Sequence, residues 1–282
     1  MCKTRADNLS DAFRPPTCFK AITVPRVQRS TRRARSGNWL IHWLTDPLVL
    51  TSGGLIVLAH WLPHSEVFFT ALFPTQERVV YLLEPFTDLL GQHLLLVAAS
   101  SLIAALVGSL VGIAVTHGFG KVFRPLAQTL TTVGQTVPPI AVLALAVPTV
   151  GFGERPALIA LALYGLLPIL QGSLNGLANV PTSVRESAQA MGMHPRQILW
   201  RIEIPLALPL WVAGLRTSVI INIGTAAIAS TVGAKTLGSP IIVGLSGFNT
   251  AYVLQGAILV GLLAISADIA FERLARRVAW HA

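Results

Sequence analysis

Few polar residues of this sequence are placed for chemistry, and none of them forms a catalytic constellation. Gly118-Phe119-Gly120-Lys121 comes nearest to a phosphate loop, but it lacks the spacing of a Gly-rich turn closed by Lys-Ser or Lys-Thr. Of the seven His residues, His60 and His64 are four apart but straddle Pro63, so no zinc pair is read. Cys2 and Cys18 both lie near the start and supply neither a disulfide framework nor a metal cluster. The chain is therefore expected to be non-catalytic, with no metal and no bound cofactor. What remains is a set of polar atoms inside apolar stretches: Gln135, Thr136, Tyr164, Asn222, Thr225 and Ser230. They suit a pathway for a solute, and equally suit ordinary interhelical hydrogen bonding. Arg216 is a charge inside an apolar run, where insertion costs a few kcal/mol. It serves function, snorkels to the surface, or pairs with a loop carboxylate. Asp268, four residues before Glu272, reads as a solvated face or a subunit contact.

The elements that must position these residues are membrane helices. Of 282 residues, 53% are hydrophobic and only 12% charged, about half the charge density of a soluble domain. That balance excludes a disordered chain and argues against a water-soluble enzyme. Residues 47–65, 89–120, 125–153, 156–184 and 236–267 carry no Asp, Glu, Lys or Arg, and 204–234 is broken only by Arg216. A bilayer core of about 30 Å takes roughly 20 apolar residues in a helix. The expected fold is an all-α transmembrane bundle of about six spans, near 44–62, 92–115, 134–150, 156–172, 207–230 and 252–271. Ser100, Ser101, Gly108, Ser109 and Gly112 let the second span approach its neighbours closely. The third and fourth spans are short and hold Pro138, Pro139, Pro148 and Pro168, which fits kinked helices or helices lining a pathway.

The net charge of +9 is mostly an N-terminal matter, since residues 1–45 hold nine of the 21 basic residues against Asp7 and Asp11. With that arm inside, 17 of the 21 basic residues fall on the inner side and only Arg78, Arg155 and Lys235 outside. Both termini are thus expected in the cytoplasm. The arm, 1–43, reads as a solvated cytoplasmic segment with attraction to anionic membrane lipid, not as a secretory signal. Residues 44–88 hold the first span and an external loop, 89–272 the main bundle, and 273–282 a cytoplasmic tail.

The most informative polar stretch, 175–206, lies on the cytoplasmic side. Pro181-Thr182-Ser183 is a helix start, with Ser183 as cap and Glu186 completing a capping box. Gly192 ends that helix, and His194-Pro195 opens a second one that runs to Pro205. A helix-turn-helix can bind DNA, but three basic and two acidic residues between two spans make no phosphate footprint, so no nucleic-acid partner is expected.

The spacing in this stretch resembles a known family. Glu186-Ser187-Ala188, three residues, Gly192, nine residues, Ile202, one residue and Ile204-Pro205 is similar to the cytoplasmic loop of ABC importer permease subunits. The family pattern reads Glu-Ala-Ala, three, Gly, nine, Ile, one, Leu-Pro, so Ser187 and Ile204 are departures. The resemblance implies that 181–205 is a coupling loop docking on an ABC ATP-binding subunit, with Glu186, Ser187, Ala188, Met191, Gly192, Ile202 and Pro205 carrying it. It also implies a MetI-like core of five spans, a second permease subunit, identical or homologous, and an extracytoplasmic substrate-binding protein. ATP would be hydrolysed on the partner chain.

Over about 90–272 further runs look like the branch serving glycine betaine, carnitine, choline and related osmoprotectants. Among them are Gln135-Thr136-Val137-Pro138-Pro139, Gly151-Phe152-Gly153 and Val219-Ile220-Ile221-Asn222-Ile223-Gly224-Thr225-Ala226. Gly233-Ala234-Lys235-Thr236-Leu237-Gly238 departs from the usual Gly-Ala-Gly-Gly-Leu-Gly, and Gly172-Ser173 stands where Asn-Thr is usual. For such a solute, Tyr164 or Phe152 offers weak cation–π attraction. The resemblance thus implies an ATP-driven importer of osmoprotectants in the cytoplasmic membrane. An importer for another small solute such as an amino acid, or an ion-coupled secondary transporter, are the alternatives.

Overall fold

The computed structural model describes residues 46–279, which form helices joined by turns and loops, with no strand among the described residues. The N-terminal arm expected at 1–43 lies outside the described residues. In chain order the helices are α1 (Pro47–Trp61), α2 (Glu66–Leu72), α3 (Phe86–Ala114), α4 (Arg124–Gly134), α5 (Pro139–Val150) and α6 (Glu154–Ala178). They continue as α7 (Thr182–Ala190), α8 (Pro195–Ile198), α9 (Ile204–Ile228), α10 (Ser239–Ser246) and α11 (Thr250–Ala279). Four stretches, carried by α3, α6, the run through α9 and α11, are long and apolar enough to cross a bilayer, and up to six cross if each of two bent pairs is one span.

The third expected span, 134–150, is not one straight helix. α4 and α5 meet at 98°. Val137 precedes a proline and is driven out of the α region, Pro138 sits extended at φ −63°, ψ 132°, and Pro139 opens α5 at a position where its missing N–H costs nothing. The fourth span is longer than 156–172, reaching Ala178 through Pro168.

α6 is the central element, packed on α3 and α9. Small residues set the distance. A Cβ on Gly172 would lie 2.9 Å from the Leu210 carbonyl, and one on Gly214 2.6 Å from the Pro168 carbonyl, so the α6 and α9 backbones touch. Gly108 faces Ile169 and Gly112 faces Ser173 across the α3–α6 seam. Ser100, Ser101, Gly108 and Gly112 are all buried there, while Ser109 Oγ accepts from Trp211 Nε1 at 2.9 Å. Close backbone approach replaces a hydrophobic driving force that lipid does not supply.

The segment after α2 is fastened to the start of α11. Gln255, fully buried, donates to the Val79 carbonyl at 2.6 Å and accepts from Tyr81 N–H at 3.1 Å, while Asn249 donates to the Arg78 carbonyl at 2.6 Å. Tyr81 packs edge-on against Tyr252. Lys235, in the turn after α9, pairs with Glu84 at 3.0 Å. Thr236 Oγ1 in the same turn donates to the Ala226 carbonyl at 2.9 Å and accepts from Gly238 N–H at 3.0 Å. The two residues that depart from the family pattern there thus staple the turn.

Candidate functional site

Two features stand out, a polar groove along the bundle and the loop at 181–205. The loop begins at Pro181, whose fixed φ of −59° sets the entry to α7 with no side-chain cap. Ser183 is therefore inside the helix, where its carbonyl accepts from Ser187 Oγ, and the expected Ser183–Glu186 capping box does not form. The capping box is at the next helix instead. His194 Nδ1 accepts from Arg196 N–H at 3.3 Å, and Gln197 Oε1 accepts from His194 N–H at 2.9 Å. Gly192 ends α7 as expected, at φ +78°, with Met193 N–H returning to the Ala188 carbonyl at 3.1 Å.

Pro205 does not end the second helix. Leu199–Glu203 forms a π turn that runs directly into α9, with Pro205 near its first residue. In the wider winding, a proline's missing N–H disturbs the ladder least. Ala188 is fully buried and anchors α7, whereas Glu186, Ser187 and Gly192 are exposed and Met191 is 73% exposed. Ile202 and Pro205 are half-buried. The loop therefore presents one short helix with an open outer face and a small residue turned inward.

The groove, about 480 Å³, runs between α4, α6 and α9. Thr132, Gln135, Gln171, Asn175 and Thr217 supply its polar wall, and no charged or aromatic side chain among the described residues lines it. Such a wall offers weak, distributed hydrogen bonds and no anchoring charge. Of the pathway candidates, Gln135 lines the groove, and Thr136 beside it is exposed with its hydroxyl on the Val133 carbonyl at 2.7 Å. Tyr164, Asn222 and Thr225 are elsewhere, inside the bundle. Asn222 donates to Ser101 Oγ at 3.1 Å and Ser100 Oγ at 3.4 Å, and the Tyr164 hydroxyl is buried with no hydrogen-bond partner among the described residues. Ser230 Oγ lies 2.8 Å from Thr236 Oγ1, and Phe152 is 77% exposed beyond α5. The candidates do not converge on one site.

Arg216 on α9 meets Asp268 on α11, Nε to Oδ1, at 2.6 Å. Asp268, expected as a solvated face or a subunit contact, pairs within the chain, and the partner of Arg216 is a carboxylate on a span rather than on a loop.

Several residues of these features were not singled out from sequence. Gln171 and Asn175, at i and i+4 on α6, fall where the span was expected to end; the missed signal is a pair of amides at helical spacing next to Pro168 and Gly172. Arg185, Glu203 and His117 form an ionic group under α7 that only the folded chain brings together.

Comparison with known proteins places this geometry. Residues 93–280 match the family described as binding-protein-dependent transport system inner membrane component. The chain belongs to this family. As an inner membrane component of that kind it is a multi-pass membrane protein, and the match takes in α4 to α11 and most of α3. The osmoprotectant import permease protein OsmY of Salmonella typhimurium is 38% identical over 193 residues, covering 68% of this chain and 82% of that protein. The choline transport system permease protein OpuBD of Bacillus subtilis is 39% identical over 193 residues, covering 67% and 83%. The glycine betaine/carnitine/choline transport system permease protein OpuCB of the same organism is 37% identical over 195 residues, covering 67% and 86%. Among solved structures, a chain of the MetNI methionine ABC transporter in an inward-facing conformation is 25% identical, with a TM-score of 0.60 over 70% of this chain and 99% of that one. The inner membrane component family thus accounts for the bundle.

Proposed function

We propose that this chain is the membrane-spanning subunit of an ATP-driven importer of osmoprotectants, namely glycine betaine, choline, carnitine or related quaternary ammonium compounds. The observation that carries the reading is identity of 37–39% to permeases named for these solutes, over more than four-fifths of each. In this reading residues 89–272 are the permease domain and 44–88 the first span with its external loop. Residues 1–43 are a basic cytoplasmic arm near membrane lipid, and 273–282 a tail, both termini being cytoplasmic.

α7 is the helix that docks on an ABC ATP-binding subunit, where ATP is hydrolysed. Its buried Ala188 and its open face of Glu186, Ser187 and Met191 support that role. Two such subunits, identical or homologous, enclose the pathway, and an extracytoplasmic binding protein delivers the solute. The amide-lined groove at Gln135, Gln171 and Asn175 suits a solute that passes without being held, tight recognition residing in the binding protein. Nucleotide-driven motion of α7 switches the bundle between inward and outward opening.

The test is uptake into proteoliposomes holding this chain, its ATP-binding subunit and its binding protein. ATP-dependent accumulation of labelled betaine, choline or carnitine is the expected result. Accumulation of methionine alone would remove the substrate assignment, and uptake driven by an ion gradient without the ATP-binding subunit would remove the importer class.

A further inference from the structure

Glu203 is the last residue of the π turn ahead of α9, and it is buried, with 6% of its surface exposed. Its two carboxylate oxygens face different elements. Oε2 meets His117 Nε2 at 2.6 Å, just past the end of α3, and Oε1 lies 2.6 Å from Arg185 Nε on α7. Arg185 also donates through Nη2 to the Leu177 carbonyl of α6 at 2.6 Å. His117 Nδ1 in turn lies 3.2 Å from the Ile113 carbonyl of α3. One buried acid therefore ties α7 to the ends of α3 and α9, and Arg185 adds a bond to α6.

The sequence builds this locally. A π turn winds in one residue more than an α turn, and each residue turns an α-helix by about 100°. That extra residue lets Glu203 face inward while α9 keeps its own packing phase. A carboxylate buried here requires partners; Arg185 supplies the cation and His117 a ring nitrogen at hydrogen-bond distance. A cavity of about 540 Å³, lined also by Lys121, Arg124 and Gln189, opens beside the three residues. α7 is thus not seated on a solid floor, and Ala188 and the Arg185 tether carry its connection to the spans.

We propose that Glu203 is a positioning residue that transmits movement of α7 to α3 and α9, a role that rests on the reading of α7 as the docking helix. Apolar packing resists a push strongly, but under a pull its contact energy is lost within a short separation. A short ion pair on a buried carboxylate resists both, because its attraction falls off more slowly than contact forces. Through Glu203 the outward and the return stroke of α7 both reach the spans.

The experiment uses the complete importer in proteoliposomes and counts solute moved per ATP hydrolysed. Glu203→Gln keeps size and removes charge; the expected result is a ratio lowered about tenfold, with ATP hydrolysis persisting and the ATP-binding subunit still co-purifying. Arg185→Gln and His117→Gln, each opening one arm, lower the ratio by smaller factors, so the proposal stays testable if Glu203→Gln assembles poorly. The exchange of Arg185→Glu with Glu203→Arg restores coupling that either change alone removes. A native ratio in Glu203→Gln, or a fall that merely follows loss of assembled complex in all the variants, overturns the proposal. Failure of the native complex to use ATP for uptake is a separate outcome, seen without any variant, and removes the importer reading itself.

Discussion

Arg216 and Asp268 form an ion pair at 2.6 Å between two membrane helices whose positions in the chain are 52 residues apart. Each side chain is about a third exposed at the bundle surface. In a membrane, a charge that loses its partner has no water to replace it, so the pair is worth more as a pair than either residue is alone. Arg216→Ala and Asp268→Ala are each expected to lower the thermal unfolding temperature of the purified protein in detergent. The double variant is expected to recover part of the loss, and a thermal-shift series on the three proteins checks it. Strictly additive losses would mean the two residues do not interact.

Gly192 stands at φ +78° with open space around its Cα, so the obstacle to a side chain there is backbone strain and not collision. For an L-residue the left-handed region costs about 1–2 kcal/mol, least for Asn. Gly192→Val is expected to distort the end of α7, leave membrane insertion intact and reduce uptake strongly, whereas Gly192→Asn retains most activity. Uptake and membrane yield of the two variants, measured side by side, decide it; equal activity would deny the turn any role in coupling.

The α6–α9 contact predicts a contrast among glycines. At Gly214 a Cβ would meet the Pro168 carbonyl at 2.6 Å, while at Gly261 it would meet nothing within 4 Å. Gly214→Ala is expected to destabilise by about 1–3 kcal/mol through overpacking, and Gly261→Ala to be neutral. Detergent denaturation curves of both variants give the comparison.

At the start of α1, Asp46 accepts two hydrogen bonds from Arg273 of α11, one of them at 2.8 Å. The bond from Arg273, supported by the Leu48 N–H and opposed by partial burial, holds the Asp46 carboxyl below its ordinary value of 3.8. A carboxyl lowered on folding stabilises the fold above that ordinary value, and the gain is lost as pH falls through the lower folded value. Asp46→Asn is therefore expected to be less stable than the native protein at pH 6, with the gap narrowing as pH falls below 3.8. Thermal melts across pH 3–7 read this directly, and a gap that persists in acid would assign the difference to packing.

Much of this was visible in the chain itself. Charge-free runs of sufficient length locate the spans, because a bilayer core imposes one length on every crossing helix. The loop motif at Glu186 to Pro205 is local, and its spacing survives in the fold. What escaped is what depends on rotation and distance. Asp268 finds Arg216 only because α9 and α11 present those faces to each other, and Glu203 meets His117 only through an extra residue in one turn. Asn222 reads as a polar residue in a span whether it faces a groove or, as it does, two buried serines. The bend at Pro138-Pro139 was marked by its residues, but prolines announce a break without giving its angle.

The grip of Gln255 on Val79 and Tyr81 makes the segment between α2 and α3 a passenger of the last helix. Leu82 and Leu83, next to that grip, are 72% and 69% exposed. A spin label or fluorophore on either would report the tilt of α11, so this segment offers a handle for watching the bundle work without touching its interior.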